Sequence, residues 1–405
     1  MDKTSRLILS ISVFLGIVSC IYFICLFFKL PQLLLFAFTI LAFFTTYLYI
    51  YKENNTFNPI TQFTLLHYFL FIICIFILAQ NCYNLSLKHG QWDAWAIWNY
   101  HAKFLQDRVN WKKLFQSTEC DHPDYPLFLP ATIAFFSNLL PKNLLLLFPF
   151  ILSLLFTFLI PYLIYSQLVI KNKFIALLIF YLFCQDVFYI TRGVSQYADT
   201  PLAFFFLAAF VCMEYADKNK KYIALAALSI GICIWTKNEG SILAFIFVLF
   251  YANKFFNQRT IFYSIGGFLI PIIALLLFKT ACTSSNDMIA AQNIHSFKRL
   301  FVKEGSLMIY DSFVKNMNEH FYYLKVGFFI YLILCIFQKR IPDKKIFLLI
   351  SCTLAYSILY LFSPYGLDWH LETSQNRLMH QLMPAWVYVI SLKFCRNKDN
   401  VNFYI

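Results

Sequence analysis

Long apolar runs recur from one end of this chain to the other, and they restrict its fold more than any other feature. Many are about 18 residues or longer, which is enough to cross the hydrocarbon core of a bilayer. Of the 405 residues, 60% are hydrophobic and only 13% are charged, whereas soluble proteins carry about 25% charged residues. A soluble chain could not bury this much apolar surface, so the sequence predicts an all-α, polytopic membrane protein.

Twelve membrane spans are predicted within a single polytopic domain over residues 1–405, with residues 1–62 supplying two extra N-terminal spans. The predicted spans cover residues 7–28, 31–50, 63–84, 144–168, 174–190, 200–216, 221–236, 240–254, 261–281, 321–337, 346–362 and 378–394. Two long outer loops cover residues 85–143 and 282–320. An apolar stretch of about 14 residues, 127–140, is short for a span, so we expect it to be re-entrant or interfacial.

Basic residues concentrate in the turns on one side of this topology. They include Lys171, Lys173, Lys218, Lys220, Lys221, Lys254, Arg259, Lys339, Arg340, Lys344, Lys345 and Lys393. Because cytoplasmic turns of membrane proteins are enriched in Lys and Arg, this pattern places the N-terminus inside and the long loops outside. The same rule explains the net charge of +13 without a nucleic-acid partner. Cys120 and Cys282 lie in the predicted outer loops, and the sequence leaves open whether they pair.

The segment from Gln91 to Leu105 places three tryptophans, a carboxylate, a histidine and a lysine in one short stretch. This composition predicts a helix lying at the membrane interface, with Trp95 and Trp98 on the same side. Asp93 would stand at the start of that helix, either as its N-cap or as a general base. Lys103 either contacts an anionic headgroup or simply extends its amine to the interface.

Four more polar clusters are predicted at outer ends of spans. They are His122-Pro123-Asp124-Tyr125-Pro126, Gln196 to Pro201, Trp235 to Glu239, and Asp368 to Arg377. Lys237 and Arg377 suit a phosphate, and the candidate substrate-binding residues are His122, Asp124, Tyr125, Tyr197, Glu239 and His370. Asp199 is either functional or a helix cap. His370 and Gln381 are weaker candidates, because polar residues near helix ends are usually satisfied by neighbours.

A bound divalent metal would need oxygen ligands from several loops, which Asp93, Asp124 and Asp199 could supply. No single segment has metal-ligand spacing, so no cofactor is assigned. The sequence also lacks a Walker or GxGxxG loop and a Gly-x-Ser-x-Gly elbow. A transfer reaction would therefore need a donor that arrives through the membrane, and a lipid phosphate meets that requirement.

In these motifs the chain resembles the GT-C superfamily of membrane glycosyltransferases, which includes protein O-mannosyltransferases and the aminoarabinose transferases of lipid A. The family pattern has an acid in the first outer loop, matched by Asp93, and then an HPP-Leu-type segment, matched by residues 122–127. A second acid at the outer end of a later helix is matched by Asp199. The Lys-bearing turn, 235–240, and the last outer motif, 369–384, also look like those of the family.

The resemblance implies a multi-span helical fold that transfers a sugar from a polyprenyl-phosphate donor to a glycan, lipid or protein acceptor. Asp93 would deprotonate the acceptor hydroxyl, and the sugar would invert. Lys103, Lys237 and Arg377 would hold the lipid phosphate, while Asp199 would orient a substrate or Lys237. Expected localisation is the bacterial inner membrane, with the reaction at its outer face. Sugar and acceptor are left open.

Two other functions remain open at this point. In a transporter or lipid-sugar flippase, Asp93, Asp186, Asp199 and Lys237 would line a translocation path. A non-catalytic relative would keep the fold without the reaction.

Overall fold

The computed structural model describes residues 1–51, 64–116, 120–139, 147–284, 303–363 and 365–395. The structure is 81% helix, and its described residues contain no strand. The helices are α1 Lys3–Phe27, α2 Gln32–Thr46, α3 Leu65–Leu85, α4 Asn99–Gln106, α5 Phe128–Ser137, α6 Leu147–Val169, α7 Lys173–Gln185, α8 Val187–Gly193, α9 Asp199–Tyr215, α10 Lys221–Thr236, α11 Glu239–Phe250, α12 Ala252–Phe255, α13 Ile261–Ala281, α14 Lys303–Glu319, α15 Tyr322–Phe337, α16 Lys344–Leu361, α17 Leu367–His370 and α18 Asn376–Phe394.

Six of these helices are long and apolar enough to cross a membrane, among the residues that the structure describes. They are α1, α2 with its π-helical extension to Tyr51, α3, α6, α13 and α16. The number rises to eight if each of two bent pairs counts as one span, namely α7 with α8 and α14 with α15. An all-helical membrane fold is therefore supported, while length and composition account for fewer spans than the twelve predicted.

The centre of the bundle is formed by α9 and α10. Every residue of α9 from Asp199 to Met213 is buried. It packs against α10, α18 and α6, and α10 packs in turn against α13. Small residues allow the close contact between α10 and α13. A Cβ added at Gly267 of α13 would lie 2.2 Å from the carbonyl oxygen of Ala224 in α10.

Large apolar side chains cover the outside of the molecule. Leu65 and Phe69 on α3, Leu33 on α2 and Phe262 on α13 are all exposed. A water-soluble protein rarely leaves such contiguous apolar faces uncovered. The exposed faces are consistent with lipid as the surrounding solvent.

The predicted span 174–190 is not one continuous helix. It breaks at Asp186 into α7 and α8, which are bent by 69°. The Asp186 carboxylate accepts a hydrogen bond of 2.9 Å from the Tyr189 N–H and so caps α8. This capping bond gives Asp186 a structural role that the transport hypothesis did not assign to it.

Each outer loop contains helical structure. The second loop ends in α14, which meets α15 at 96°, while its residues 285–302 lie outside the described part. The short apolar stretch of the first loop forms the 10-residue helix α5, which is buried against α1 and α4. Its length agrees with the expectation that this stretch does not span the membrane.

The first predicted span, α1, belongs to the core of the bundle. It packs against α5 and α13. The Tyr22 hydroxyl donates to the carbonyl oxygen of Leu105 at 2.7 Å and accepts from Asn138 at 2.9 Å. The indole N–H of Trp235 donates to Ser19 at 3.0 Å. These bonds join α1 to the outer segment and to the end of α10.

Several basic turns gather at one end of the bundle. Lys254 bonds both oxygens of Asp217 at 2.7 Å, and Lys345 pairs with Glu214. Both acids lie at the C-terminal end of α9, the opposite end from Asp199. The structure therefore separates these basic turns from the predicted outer clusters along the length of α9.

Candidate functional site

The aromatic segment of the first outer loop is helical, but its turns are uneven. A π-helical turn, Ala94–Trp98, precedes α4. Trp98 is fully buried, whereas Trp95 is 54% exposed. The prediction that these two rings share a side is therefore wrong, because the wider π turn rotates Trp98 away from the α-helical position.

Asp93 stands immediately before that π turn without capping it. Its side chain makes no capping hydrogen bond. Its backbone N–H donates to the Tyr197 hydroxyl at 3.2 Å, and its carboxylate pairs with Arg377. The capping alternative therefore lacks support, and Asp93 instead belongs to a buried ionic cluster.

Arg377 connects the two acids that the sequence analysis singled out. Its Nη2 donates to Asp93 Oδ2 and also to Asp199 Oδ2, the latter at 3.1 Å. Its Nε donates to the same Asp199 oxygen at 3.2 Å. The guanidinium carbon lies 4.6 Å from the centre of the Tyr197 ring. Arg377 is thus held by two bonds to Asp199 and one to Asp93, with an aromatic face against it.

The other oxygen of Asp199 is also occupied. Asp199 Oδ1 accepts from Lys237 Nζ at 2.9 Å and from Gln381 Nε2 at 2.5 Å. The Tyr356 hydroxyl donates to Gln381 Oε1 at 2.7 Å, which orients the amide. Only 2% of the Asp199 side chain is exposed. These donors satisfy the Asp199 carboxylate, so the alternative that Asp199 caps a helix lacks support.

Lys237 follows α10 and is almost completely buried. Its ammonium bonds Asp199 and lies 3.2 Å from Glu239 Oε1. Burial opposes the charge, but the carboxylates of Asp199 and Glu239 outweigh burial and raise the pKa of Lys237 above its ordinary value. Lys237 is therefore an ammonium ion throughout the physiological pH range. The second oxygen of Glu239 is buried and has no hydrogen-bond partner among the residues that the structure describes.

A stack of three aromatic rings lies beside these charged groups. His122 stacks on Tyr125 with ring centres 4.7 Å apart, and Tyr125 stacks on Trp98 at 5.6 Å. Lys237 Nζ lies 5.9 Å from the centre of the Tyr125 ring. The same loop adds Asp124, whose Oδ2 accepts from Asn238 at 2.8 Å. The charged groups of the cluster therefore lie next to an aromatic stack.

Two hydrogen bonds join the segment that carries Asp93 to the segment that carries Tyr197 and Asp199. The backbone N–H of Gln91 donates to the Ser195 carbonyl at 3.0 Å, and the side-chain amide of Asn99 donates to Gln196 Oε1 at 3.1 Å. Gly90 and Gln196 adopt positive φ values of 72° and 63°. A Cβ at Gly90 would lie 2.7 Å from the Ser195 carbonyl oxygen, so this close approach requires glycine.

Two predicted site residues are not connected to the cluster by these contacts. Lys103 is exposed, and its amine lies 6.0 Å from the centre of the Tyr100 ring. His370 forms a 2.6 Å hydrogen bond with Ser363 and packs edge-on against Tyr360. The helix that carries Lys103 continues past the cluster, so nearness in sequence to Asp93 does not bring its amine inside.

Two polar residues matter more than the sequence suggested. Gln381 was ranked as a weak candidate, yet it bonds Asp199 from one turn beyond Arg377. Tyr356 was not a candidate, although its hydroxyl positions Gln381. The four-residue spacing of Arg377 and Gln381 puts both on one face of α18, and that spacing was a usable signal. Tyr356 lies within an apolar run, so nothing in the sequence marks it as a site residue.

Three carboxylates were considered as ligands for a divalent metal, and their observed contacts do not favour that use. Asp93 pairs with Arg377, Asp199 with Lys237 and Arg377, and Asp124 with Asn238. No three His, Cys, Asp or Glu side chains converge as a metal site in the described ranges. Cations and an amide therefore occupy at least one oxygen of each carboxylate that a metal would need.

The cysteines of the outer loops are free thiols in the structure. Cys120 is buried, and Cys282 Sγ lies 3.6 Å from the Pro123 carbonyl oxygen. Cys282 therefore contacts the loop that carries His122 and Asp124, without a disulfide to Cys120.

Gly240 sets the position of the Lys237 turn and offers a test of that packing. A Cβ there would lie 2.0 Å from the Cys233 carbonyl oxygen of α10, whereas one at Gly266 would meet nothing within 4 Å. We expect Gly240→Ala to destabilise the protein by about 1–3 kcal/mol through overpacking. Gly266→Ala should be neutral or stabilise by roughly 0.5–1 kcal/mol, because alanine favours helix. Thermal unfolding in detergent compares them, and equal midpoints would contradict the close contact.

Comparison of the chain with protein-family models, curated proteins and solved structures found no match. What the chain does must therefore be argued from the geometry of the cluster formed by Asp93, Asp199, Lys237, Glu239 and Arg377.

Proposed function

We propose that the protein is an integral-membrane glycosyltransferase of the GT-C type, with more spans than the six to eight recognised by length and composition. It would move a sugar from a polyprenyl-phosphate donor to an acceptor hydroxyl at the extracytoplasmic face. The observation that carries this proposal is the buried cluster in which Arg377 joins Asp93 to Asp199. It combines a carboxylate suited to proton transfer with two cations suited to a phosphate.

In the proposed reaction, Asp93 accepts the proton of the acceptor hydroxyl. The hydroxyl oxygen attacks the anomeric carbon, and the bond from that carbon to the phosphate oxygen breaks in the same displacement. Polyprenyl phosphate leaves with the electron pair, and the sugar configuration inverts. Lys237 and Arg377 would stabilise the negative charge on the departing phosphate.

The charge balance of the cluster indicates how a donor phosphate would enter. Among the five side chains that pair directly, Asp93, Asp199 and Glu239 contribute three negative charges, and Lys237 and Arg377 contribute two positive ones. Arg192 lies near enough to interact with Asp93 and Asp199 and adds a third positive charge. Because Lys237 and Arg377 are both already paired, a phosphate must take a donor from a carboxylate. Arg377 makes one bond to Asp93 and two to Asp199. Because the Asp93 side chain is more exposed than that of Asp199, we expect its single bond to be the one that exchanges, and its loss would free the base.

Asp199 would then act as a positioning residue. It holds Lys237 and Arg377 while Gln381 and Tyr356 orient its carboxylate. His122, the partly exposed end of the aromatic stack, suits the apolar face of a sugar ring, and Asp124 and Glu239 supply acceptors for its hydroxyls.

A conservative substitution at Arg377 tests the bridging role. Lysine keeps the positive charge but lacks the planar fork that reaches Asp93 and Asp199 together. We expect Arg377→Lys to lower transfer about 10-fold to 150-fold, the cost of one hydrogen bond to a charged group at about 1.5–3 kcal/mol. Arg259→Lys, at an exposed turn, is the matched control. Transfer is measured with a radiolabelled polyprenyl-phosphate sugar. Equal transfer rates for the two variants would show that Arg377 has no role in the reaction.

The competing function is transport of a lipid-linked sugar or another small solute. The five paired side chains include one more carboxylate than cations, and this favours only transport of a positively charged solute, since a lipid-linked sugar is an anion. Reconstituted vesicles separate the two functions. Uptake or lipid translocation by parent protein that forms no glycosylated product, across a panel of donor sugars, would establish transport and overturn the proposed transferase.

A further inference from the structure

A cavity lies at the end of the bundle opposite the cluster of Asp93, Asp199, Lys237, Glu239 and Arg377. Its lining includes Tyr331, Arg340, Ile341, Asp343, Lys345 and Lys393. Lys393 and Arg377 are both on α18. Their separation of sixteen residues (393 − 377) corresponds to roughly 24 Å along a helix. This cavity is therefore a separate site from the one proposed for catalysis.

The turn between α15 and α16 builds one side of the cavity. Lys339 has a φ of 49°, and the N–H groups of Lys339 and Arg340 donate to Ile336 and Cys335 at 3.0 Å each. This left-handed ending closes α15. The Asp343 N–H then donates to the Tyr331 hydroxyl at 2.8 Å. Hydrogen bonds of the backbone before and after Arg340 therefore fix the turn that holds it.

Positive charge predominates around the cavity. Arg340, Lys345 and Lys393 face one carboxylate in the lining, Asp343, so the lining has a net charge of +2. Lys345 is already paired with Glu214. Arg340 and Lys393 have no ion-pair partner in the part of the chain that the structure describes, and the Lys393 amine lies 6.0 Å from the centre of the Tyr331 ring. Two cations are therefore available to an anion.

An exposed apolar residue lines the same cavity, since Ile341 is 85% exposed. Ile336 and Phe337, which end α15 just before this turn, are exposed as well. Exposed apolar side chains would not stabilise a soluble phosphate, whereas they can pack against the acyl chains of a lipid. Cations beside an apolar rim are typical of a site for a lipid headgroup.

We propose that this cavity binds the phosphate headgroup of an anionic phospholipid from the leaflet facing the basic turns, which the charge pattern predicts to be cytoplasmic. Arg340 and Lys393 hold the phosphate, and Ile336, Phe337 and Ile341 contact the acyl chains. The bound lipid would join the α15–α16 turn to the end of α18. This site is independent of the proposed glycosyltransferase activity.

Native mass spectrometry of the full-length protein with phosphatidylglycerol and phosphatidylcholine tests the assignment. We expect preferential retention of phosphatidylglycerol by the parent. The double variant Arg340→Gln/Lys393→Gln should bind it roughly 30-fold more weakly, which corresponds to about 1 kcal/mol per cation near a membrane surface. Lys220→Gln/Arg259→Gln removes the same charge from exposed turns at the same end and should leave binding unchanged.

Three outcomes would overturn the proposal. Equal retention of the two lipids shows no headgroup recognition, and equal loss in both double variants shows only a general effect of charge. Displacement of the lipid by millimolar glycerol phosphate identifies a soluble anion as the ligand. Thermal unfolding of each variant verifies that a loss of binding is not a loss of fold.

Discussion

Asp93→Asn is expected to slow sugar transfer strongly while leaving the fold intact. The asparagine side chain has nearly the same shape and can still accept a hydrogen bond from Arg377, but it cannot take the acceptor proton. General-base catalysis contributes about 10²–10⁴ in rate, so transfer should fall by that factor. Arg377 keeps its two bonds to Asp199 in the variant, which limits the structural damage.

The measurement is transfer of radiolabelled sugar by purified protein, with donor binding followed separately. Asp121→Asn is the matched control, since it changes an exposed acid of the same outer loop. A parental rate for Asp93→Asn in folded protein means that Asp93 is not the base. Weakened donor binding with an unchanged rate at saturation would instead make Asp93 a binding residue. These outcomes differ from failure of the parent itself, which contradicts the proposed function.

Asp199→Ala is expected to be the most destabilising change in the cluster. It leaves Lys237 and Arg377 without their shared carboxylate inside the bundle, and breaking a buried ion pair costs about 3–5 kcal/mol. Lys237 has a raised pKa because of Asp199 and Glu239, so part of that stabilisation of its charge disappears as well. The free energy of unfolding in mixed detergent measures the loss.

Asp217→Ala provides the comparison. Asp217 also pairs with a lysine, Lys254, at 2.7 Å, but 83% of its side chain is exposed. Exposed pairs contribute about 0–1 kcal/mol, so this variant should unfold almost as the parent does. A similar small effect at Asp199 would mean that water reaches the cluster and that its charges are not held as the structure places them.

Much of the membrane architecture could be predicted from the sequence, because hydrophobic transfer depends on composition within each run. Predicted spans such as 7–28 and 261–281 closely match α1 and α13. The break at Asp186 could not be predicted in the same way. A single carboxylate in an apolar run is compatible with a continuous helix, and only the capped bend of 69° shows otherwise.

The candidate site shows a similar division. The order of the polar clusters indicated that Asp93, Asp199, Lys237 and Arg377 belong at one end of the bundle, and the structure brings these four together. Which of them touch depends on how the helices rotate about their axes. The π-helical turns at 94–98 and 371–375 change that rotation just before α4 and α18. No spacing in the sequence reveals them.

The sequence by itself determined that this chain forms a helical membrane protein with its acids and basic turns segregated along the helices. That conclusion depends on the transfer free energy of each segment between water and lipid, which is a local property. Only the tertiary structure decided that Arg377 joins Asp93 to Asp199, that Gln381 and Tyr356 support them, and that Lys103 stays outside. Ion pairs and hydrogen bonds need atoms within about 3 Å, and only the packing of distant helices brings these side chains that close.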